Sequence, residues 1–356
     1  MAGPNEPIRL ERGDLYSPRV ESYLEMQQAM RRDIGPIDPQ PLILRIVFSS
    51  WFYLALASGL GAFLAWVALE PFFDDNAPDD EFSLASVLLF PTVAAGVGLF
   101  LGAGEGIMCR NARRAILCGA VGLGIGFGGG LVMLIPAGIL FNVMCTVAVA
   151  FAEDLQPNQM PTGIALLILI MGRAAAWALA SLPAGLGQGI ALREKRVAIN
   201  GVVGAVLGGV VGGLLFDPIS LVFTTADGEA SLSRAVGFVF IGLMVGLMVG
   251  LVEGWTKTAW LLMRAGPLAG KQFILYHDAT VLGSSPKADI YLFKDGAIEP
   301  RHALIHNRGG RFEIEDCNTP DGTYVNGAPV TRQLLRNGDQ IILGKTVLEF
   351  TLKETK

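Results

Sequence analysis

His277, His302 and His306 are the only histidines in the chain, and only the last two are close in sequence. Four residues apart on a strand they share one face, a spacing that serves cross-strand packing without any ligand. No nucleophile–base pair, Walker loop or metal-ligand spacing accompanies them, so the sequence encodes no enzyme, no metal site and no cofactor. Cys109, Cys118, Cys145 and Cys317 are scattered without a CxxC pair, which excludes a disulfide framework and points to a reducing compartment. The remaining chemistry-bearing residues are charges set in apolar sequence. Arg173 interrupts the run from Leu155 to Leu192. If its helix begins after Gly172, it sits near a membrane surface and snorkels; this is the expected placement. If the helix begins near Thr162, Arg173 is buried and needs Glu153, Asp154 or another span as partner. Glu105 and Glu253 pose the same question at the opposite rim, and Lys257, one turn beyond Glu253, is its expected partner.

The elements that carry these charges follow from composition. A 52% apolar share and a mean hydropathy of +0.49 are too high for an ordinary soluble protein. Uncharged stretches run over 46–69, 83–104, 115–152, 174–192, 197–216 and 235–252. Each approaches the length needed to cross a ~30 Å hydrocarbon core, where only helices satisfy their own backbone groups. Six transmembrane helices are expected. Arg110, Arg113, Arg114, Arg193, Lys195, Arg196, Lys257 and Arg264 fall in one set of loops, whereas the other set holds Arg234 as its only basic residue. The positive-inside rule then places both termini in the cytoplasm of an inner- or plasma-membrane protein. Trp51, Phe52 and Tyr53 fit an interfacial aromatic belt. A net charge of −5 argues against nucleic acid as a partner.

Sliding the bundle against itself gives an internal similarity. Gly102-Ala-Gly104-Glu105-Gly106 through Arg110 resembles Gly185-Leu-Gly187-Gln188-Gly189 through Arg193, and Gly250-Leu-Val-Glu253-Gly254 opens a third copy. The glycine-rich spans read as repeated cytoplasmic hairpins in which small residues let backbones approach closely. Before them, residues 1–45 form a cytoplasmic segment with a short amphipathic helix starting at Ser17-Pro18.

After Arg264 the pattern changes to short alternating runs separated by Gly, Asn and Asp turns, so residues 266–356 read as a β domain. Strands are expected over 271–276, 280–282, 290–292, 303–306, 311–314, 323–325, 340–343 and 347–353. Leu282-Gly283, Ala288-Asp289-Ile290, Arg301-His302-Ala303, Asp316, Gly322-Thr323-Tyr324-Val325-Asn326-Gly327 and Leu335 through Gly344 stand in an order that resembles the forkhead-associated (FHA) domain family. The resemblance covers the last ~90 residues and leaves the membrane region unassigned. It implies an eleven-stranded sandwich whose loops at one end bind phosphothreonine peptides, with His302 bracing those loops.

Carried over residue by residue, the binding positions depart from the family pattern. Ser284 stands where the family has Arg, Glu299 where it has Ser, and Asp321 where it has Asn. A phosphate carries about −1.5 to −2 charges at neutral pH. A carboxylate ~5 Å away repels each unit of it by about 3 kcal/mol at an effective dielectric of 20. Ser284, Ser285, Lys287, Arg301 and Thr319 offer partial compensation without restoring an Arg fork. The expected binding loops are therefore Ser284, Ser285, Lys287, Glu299, Arg301, Thr319, Asp321 and Thr323, gripping a protein or peptide without strict need for phosphothreonine.

Together these features describe six transmembrane helices over 46–265 and a cytoplasmic FHA-like sandwich over 266–356. The expected function is a membrane-anchored signalling scaffold. The alternatives are a channel or transporter regulated by the FHA domain, with Arg173, Glu105 and Glu253 as its intramembrane residues, and a phosphothreonine receptor in a Ser/Thr kinase pathway.

Overall fold

The computed structural model describes residues 41–73, 84–152, 161–223 and 231–353; the expected helix at Ser17-Pro18, and Glu153 and Asp154, lie outside them. The chain divides into two units. One comprises residues 40–258 with Gly270–His277, and the other comprises Ala259–Ala269 with the chain from Asp278 onward.

The first unit is helical: α1 (Leu42–Val47), α2 (Ser50–Leu69), α3 (Leu84–Met108), α4 (Ala112–Ala150), α5 (Gly163–Leu192), α6 (Lys195–Phe223) and α7 (Ser231–Thr256). All but α1 are long and apolar enough to cross a membrane, among the described residues. Helices α3 to α6 each contain one proline, at Pro91, Pro136, Pro183 and Pro218, as bundle helices in lipid tolerate. At 39 residues, α4 is about 58 Å long and exceeds a ~30 Å core.

Each helix from α2 to α7 packs on the next, and α7 returns to α2, so the six close into a ring. Glycine sets the spacing. A Cβ at Gly98 or Gly122 would strike the other's carbonyl, and the same holds for Gly61 with Gly96 and Gly185 with Gly201. Along α7, a Cβ at Gly246 would meet the Leu54 carbonyl and one at Gly250 the Trp51 backbone. Small residues let these backbones approach closely and gain dispersion contact. Among the glycines an apolar cluster of Trp177, Phe216 and Phe238 fills the ring, with Phe90 edge-on to Trp177 at 4.9 Å.

The α3–α4 and α5–α6 turns share one geometry. Arg110 and Arg193 adopt left-handed φ of 52° and 56°. The next N–H in each turn closes back on a glycine carbonyl, Asn111 on Gly106 at 2.8 Å and Glu194 on Gly189 at 2.9 Å, a Schellman closure. Two expectations are corrected here. Helix α5 starts at Gly163 with Thr162 at its N-cap, not after Gly172. Asp217, one position beyond the uncharged stretch 197–216, lies inside α6, which runs on through Pro218, and is 1% exposed opposite Arg173. Tyr53 also leaves the aromatic belt: it is 8% exposed and faces inward, while Trp51 stays 38% exposed.

The second unit is a two-sheet β-sandwich. In one sheet β11 (Thr346–Leu352) lies between β1 (Ala259–Ala265) and β10 (Gln340–Leu343), followed by β7 (Thr323–Val325) and β8 (Ala328–Val330). The other has the order β4 (Ile290–Tyr291), β3 (Ala279–Gly283), β5 (Ala303–Arg308), β6 (Arg311–Asp316), β9 (Arg332–Leu334). Leu261, Leu282, Ile305, Ile314, Ile341, Leu343 and Phe350 interdigitate between the sheets and are fully buried. Asn326 and Gly327 turn β7 into β8 with φ of 51° and 81°, the pair of positive angles a two-residue hairpin needs. Strand β1 begins seven residues before the expected boundary at residue 266. Its alternating burial was hidden because Trp260-Leu-Leu-Met continues the apolar run of α7. The remaining strand, β2 (Gln272–Ile274), belongs to the segment that groups with the helices.

Candidate functional site

The residues expected at the binding end sit on three loops: β3–β4 with Ser284, Ser285 and Lys287; β4–β5 with Glu299 and Arg301; and β6–β7 with Thr319 and Asp321. Backbone bonds tie the loops together before any side chain acts. Ser284 N donates to Glu299 O at 2.9 Å, Leu292 N to Gly283 O at 2.9 Å, and Cys317 N to His302 O at 2.9 Å. Gly283 has no room for a side chain, since a Cβ would collide with the Pro300 carbonyl.

His302, fully buried, lies at the centre. Its Nδ1 accepts from Glu299 N at 3.2 Å, which assigns the proton to Nε2. Nε2–H then faces Gly322 O at 3.1 Å and Thr319 Oγ1 at 3.3 Å. One neutral imidazole thus joins the β4–β5 and β6–β7 loops.

Asp316 makes the second junction. Its Oδ1 accepts the Thr319 hydroxyl at 2.8 Å and the Thr323 hydroxyl at 2.7 Å, while Oδ2 accepts Thr319 N at 3.0 Å. Burial opposes ionisation of this carboxyl, but these hydrogen bonds outweigh it and hold its pKa below the ordinary Asp value. Both threonine hydroxyls are therefore engaged inward, and Thr323 is only 1% exposed. Glu299, Arg301 and Lys287 are exposed at the loop surface, with Ser284, Ser285 and Asp321 half-buried. Burial pushes the pKa of the Cys317 thiol up, against the opposing charge of nearby Arg301. His306 Nε2 lies 2.8 Å from Glu315 on the neighbouring strand, a cross-strand pair away from these loops.

In the helical unit the three singled-out charges fall in two places. Arg173 Nε lies 2.8 Å from Asp217 Oδ1 on α6, with its guanidinium between the rings of Phe141 at 4.9 Å and Phe216 at 5.3 Å. Arg234 and Glu70 make a two-pronged pair at 2.6 and 3.1 Å. At the opposite end, Glu105 Oε2 faces Gln188 Nε2 at 3.3 Å and Arg114 at 3.5 Å. Glu253 Oε1 accepts the Tyr276 hydroxyl at 2.8 Å, while Lys257 Nζ donates to Gln272 at 2.6 Å. Lys271, 2% exposed, donates to the Tyr53 hydroxyl at 3.0 Å with its ammonium 4.3 Å from the ring centroid. Burial disfavours its charged form, yet Tyr53, Cys109 and Glu105 hold its pKa above the ordinary lysine value. Burial and Glu253 push the Tyr276 phenol up as well, so it remains a donor.

Sequence reasoning missed Lys271, Asp217 and the clamping role of Asp316. Asp217 carried one usable signal, an acid within helical reach of Arg173 if the apolar run is allowed to continue through Pro218. Lys271 carried none, as it reads like any exposed strand residue. Among the described residues no group of three or more His, Cys, Asp or Glu side chains is set to hold a metal ion.

A two-sheet sandwich with its loops joined through a buried histidine and an aspartate defines a β recognition domain of the FHA class. The family model described as the FHA domain matches residues 280–344. The chain is 40% identical over 100 residues to an oxoglutarate dehydrogenase inhibitor of Corynebacterium jeikeium, a match covering 28% of this chain and 69% of that protein. It is also 40% identical over 100 residues to the glycogen accumulation regulator GarA of Mycolicibacterium smegmatis, covering 28% and 63%. By this C-terminal region the chain belongs to the FHA-domain family. Among solved structures, the FHA domain of the CT664 protein from Chlamydia trachomatis is 26% identical, covering 28% of this chain and all of that one at a TM-score of 0.26. A domain studied for phosphothreonine-dependent FHA interactions gives the same identity, coverage and TM-score.

Proposed function

We propose that the chain is a membrane-anchored signalling scaffold. In this reading the six-helix ring spans the membrane with both termini cytoplasmic, and the FHA domain binds protein partners at the inner surface without strict dependence on phosphothreonine. Anchoring raises the effective concentration of the domain for other membrane-bound partners. The observation that carries the ligand assignment is the charge of the loop surface. Glu299 is exposed there, Asp321 lies on the adjoining loop and Ser284 supplies no guanidinium. The Thr319 and Thr323 hydroxyls are committed to Asp316. Such a surface favours a basic or unphosphorylated segment over a phosphate dianion. Titrating the full chain in nanodiscs with matched peptide libraries is expected to give no gain on threonine phosphorylation. Micromolar binding confined to the phosphorylated set, abolished by Arg301→Ala, overturns this and supports a phosphothreonine receptor.

A second reading, a channel or transporter regulated by the FHA domain, is favoured by the Arg173–Asp217 pair. Asp217 Oδ2 is buried with no hydrogen-bond donor among the described residues, which leaves a carboxylate oxygen open to an ion or proton. Liposome flux that disappears in Arg173→Ala would favour transport; absence of flux in the unaltered chain removes it.

A further inference from the structure

At the end of the ring where α5 turns into α6 and where α7 stops, a cavity of about 270 Å³ opens between the first turns of α6, the end of α7 and the Gly270–His277 segment. It holds several times the ~30 Å³ share of one water, hence more than a single ion. Arg196 and Lys257 contribute its two charges, and none of the described residues lining it is acidic. The nearby carboxylates are directed elsewhere, Glu194 toward His277 at 3.8 Å and Glu253 toward the Tyr276 hydroxyl at 2.8 Å. Lys257 Nζ also donates to Gln272 at 2.6 Å, which places the ammonium at the cavity's edge beside the Gly270–His277 segment. The wall is fixed by Asn200, 7% exposed, whose amide donates to Thr256 Oγ1 at 2.7 Å. That hydroxyl in turn donates to the Val252 carbonyl at 2.9 Å.

The same cavity is continuous with an apolar stripe. Ile199 lines it and is 62% exposed, and Val203, Leu207 and Leu214 continue down α6 at 43%, 42% and 38% exposed. At 100° per residue these four lie within an arc of about 80°. From Ile199 to Leu207 the helix rises about 12 Å, close to one leaflet of a ~30 Å core. Trp255, 62% exposed, stands beside Thr256, as aromatic residues do at an interface. A basic, hydrogen-bonding cavity above an apolar stripe of leaflet length has the two-part chemistry of an anionic amphiphile.

We infer that this cavity is a binding site for the phosphate-bearing headgroup of an anionic membrane phospholipid, with the acyl chains lying along Ile199, Val203 and Leu207. Arg196 and Lys257 hold the phosphate; the long, apolar α6 face holds the tails. The inference rests on the bundle spanning a membrane, and the experiment separates the two. The delipidated full chain is reconstituted into vesicles of equal phosphatidylglycerol and phosphatidylcholine, checked for flotation, re-extracted, and its retained lipid quantified by mass spectrometry. Failure to float removes the membrane reading itself. In floating protein, phosphatidylglycerol is expected to be retained over phosphatidylcholine. Arg196→Ala with Lys257→Ala is expected to lower that retention about 30-fold, roughly fivefold for each basic side chain. Arg196→Lys with Lys257→Arg retains it. Ile199→Asn, which alters no charge, lowers retention and provides the test if the double alanine variant does not fold. Retention without headgroup preference, or unaffected by both sets of substitutions, overturns the inference. Full displacement by inorganic phosphate also overturns it, by assigning the cavity to free phosphate.

Discussion

At the residue scale, the loop end of the sandwich depends on two polar side chains with opposite requirements. His302 works as a neutral ring with its proton on Nε2, and Asp316 works as an anion. The motif order Arg301-His302-Ala303 made His302 legible as a brace, since the resemblance carries that role with it. Asp316 was visible only as part of the same motif, because its three bonds come from residues three and seven positions away and form only once the loop has closed. Hydrogen bonds to a charged acceptor contribute about 1.5–3 kcal/mol each when one partner is removed. Asp316→Ala is therefore expected to destabilise the FHA domain by roughly 2–4 kcal/mol in chemical denaturation, with Thr323→Val costing less because Thr319 keeps its contacts. The pH dependence has a fixed sign. A carboxyl whose folded pKa is depressed adds stability that is fully present above its unfolded value near 3.9 and is lost as pH falls through the folded value. Acid titration of the wild-type fold should show this loss below the ordinary Asp range, and Asp316→Asn should flatten it; an unchanged acid limb would remove Asp316 from the clamp.

At the element scale, glycine decides where helices touch. The two left-handed Arg turns give the α3–α4 and α5–α6 hairpins the same closure. The pairing of individual glycines across helices was not legible, since a stripe of small residues does not name its partner. Nor was the start of α5, where a charge at Arg173 argued for a later helix until Asp217 could be placed opposite it. Strand β1 escaped for the converse reason: four apolar-rich residues after a long apolar helix keep no visible period of their own. The contrast between crowded and open glycines gives a direct test. Gly185→Val would drive a side chain into the Gly201 carbonyl, whereas Gly124 has nothing within 4 Å of an added Cβ. Gly185→Val is expected to cost at least about 1–3 kcal/mol, as overpacking of a closed interface does, and to lower the thermal midpoint of the detergent-solubilised chain. Gly124→Val should lie near wild type. Equal behaviour of the two would mean that the α5–α6 contact does not hold the ring together.

At the scale of the whole molecule, the ring closes without a sequence signal for closure: α7 lies against α2, the first and last of the six long helices. Ion pairs reinforce the end away from the hairpin turns, with Arg234 reaching from α7 to Glu70 and Arg173 from α5 to Asp217. These pairs bear on whether the bundle is only an anchor. Removing one member of a buried pair typically costs 3–5 kcal/mol because a charge is left uncompensated, whereas replacing both by apolar residues of similar volume is often neutral. If Arg173 and Asp217 serve only to join α5 to α6, Asp217→Leu alone should destabilise the chain by about that amount and Arg173→Met with Asp217→Leu should restore it. Partner capture by the FHA domain should then be unaffected in the double variant. A double variant that folds, floats with vesicles and binds partners, yet loses a solute flux that the wild type supports, would instead assign the pair to a transport path, and the anchoring role would become secondary. The restored stability is thus the measurement that isolates function, since it removes unfolding as an explanation for any activity that disappears.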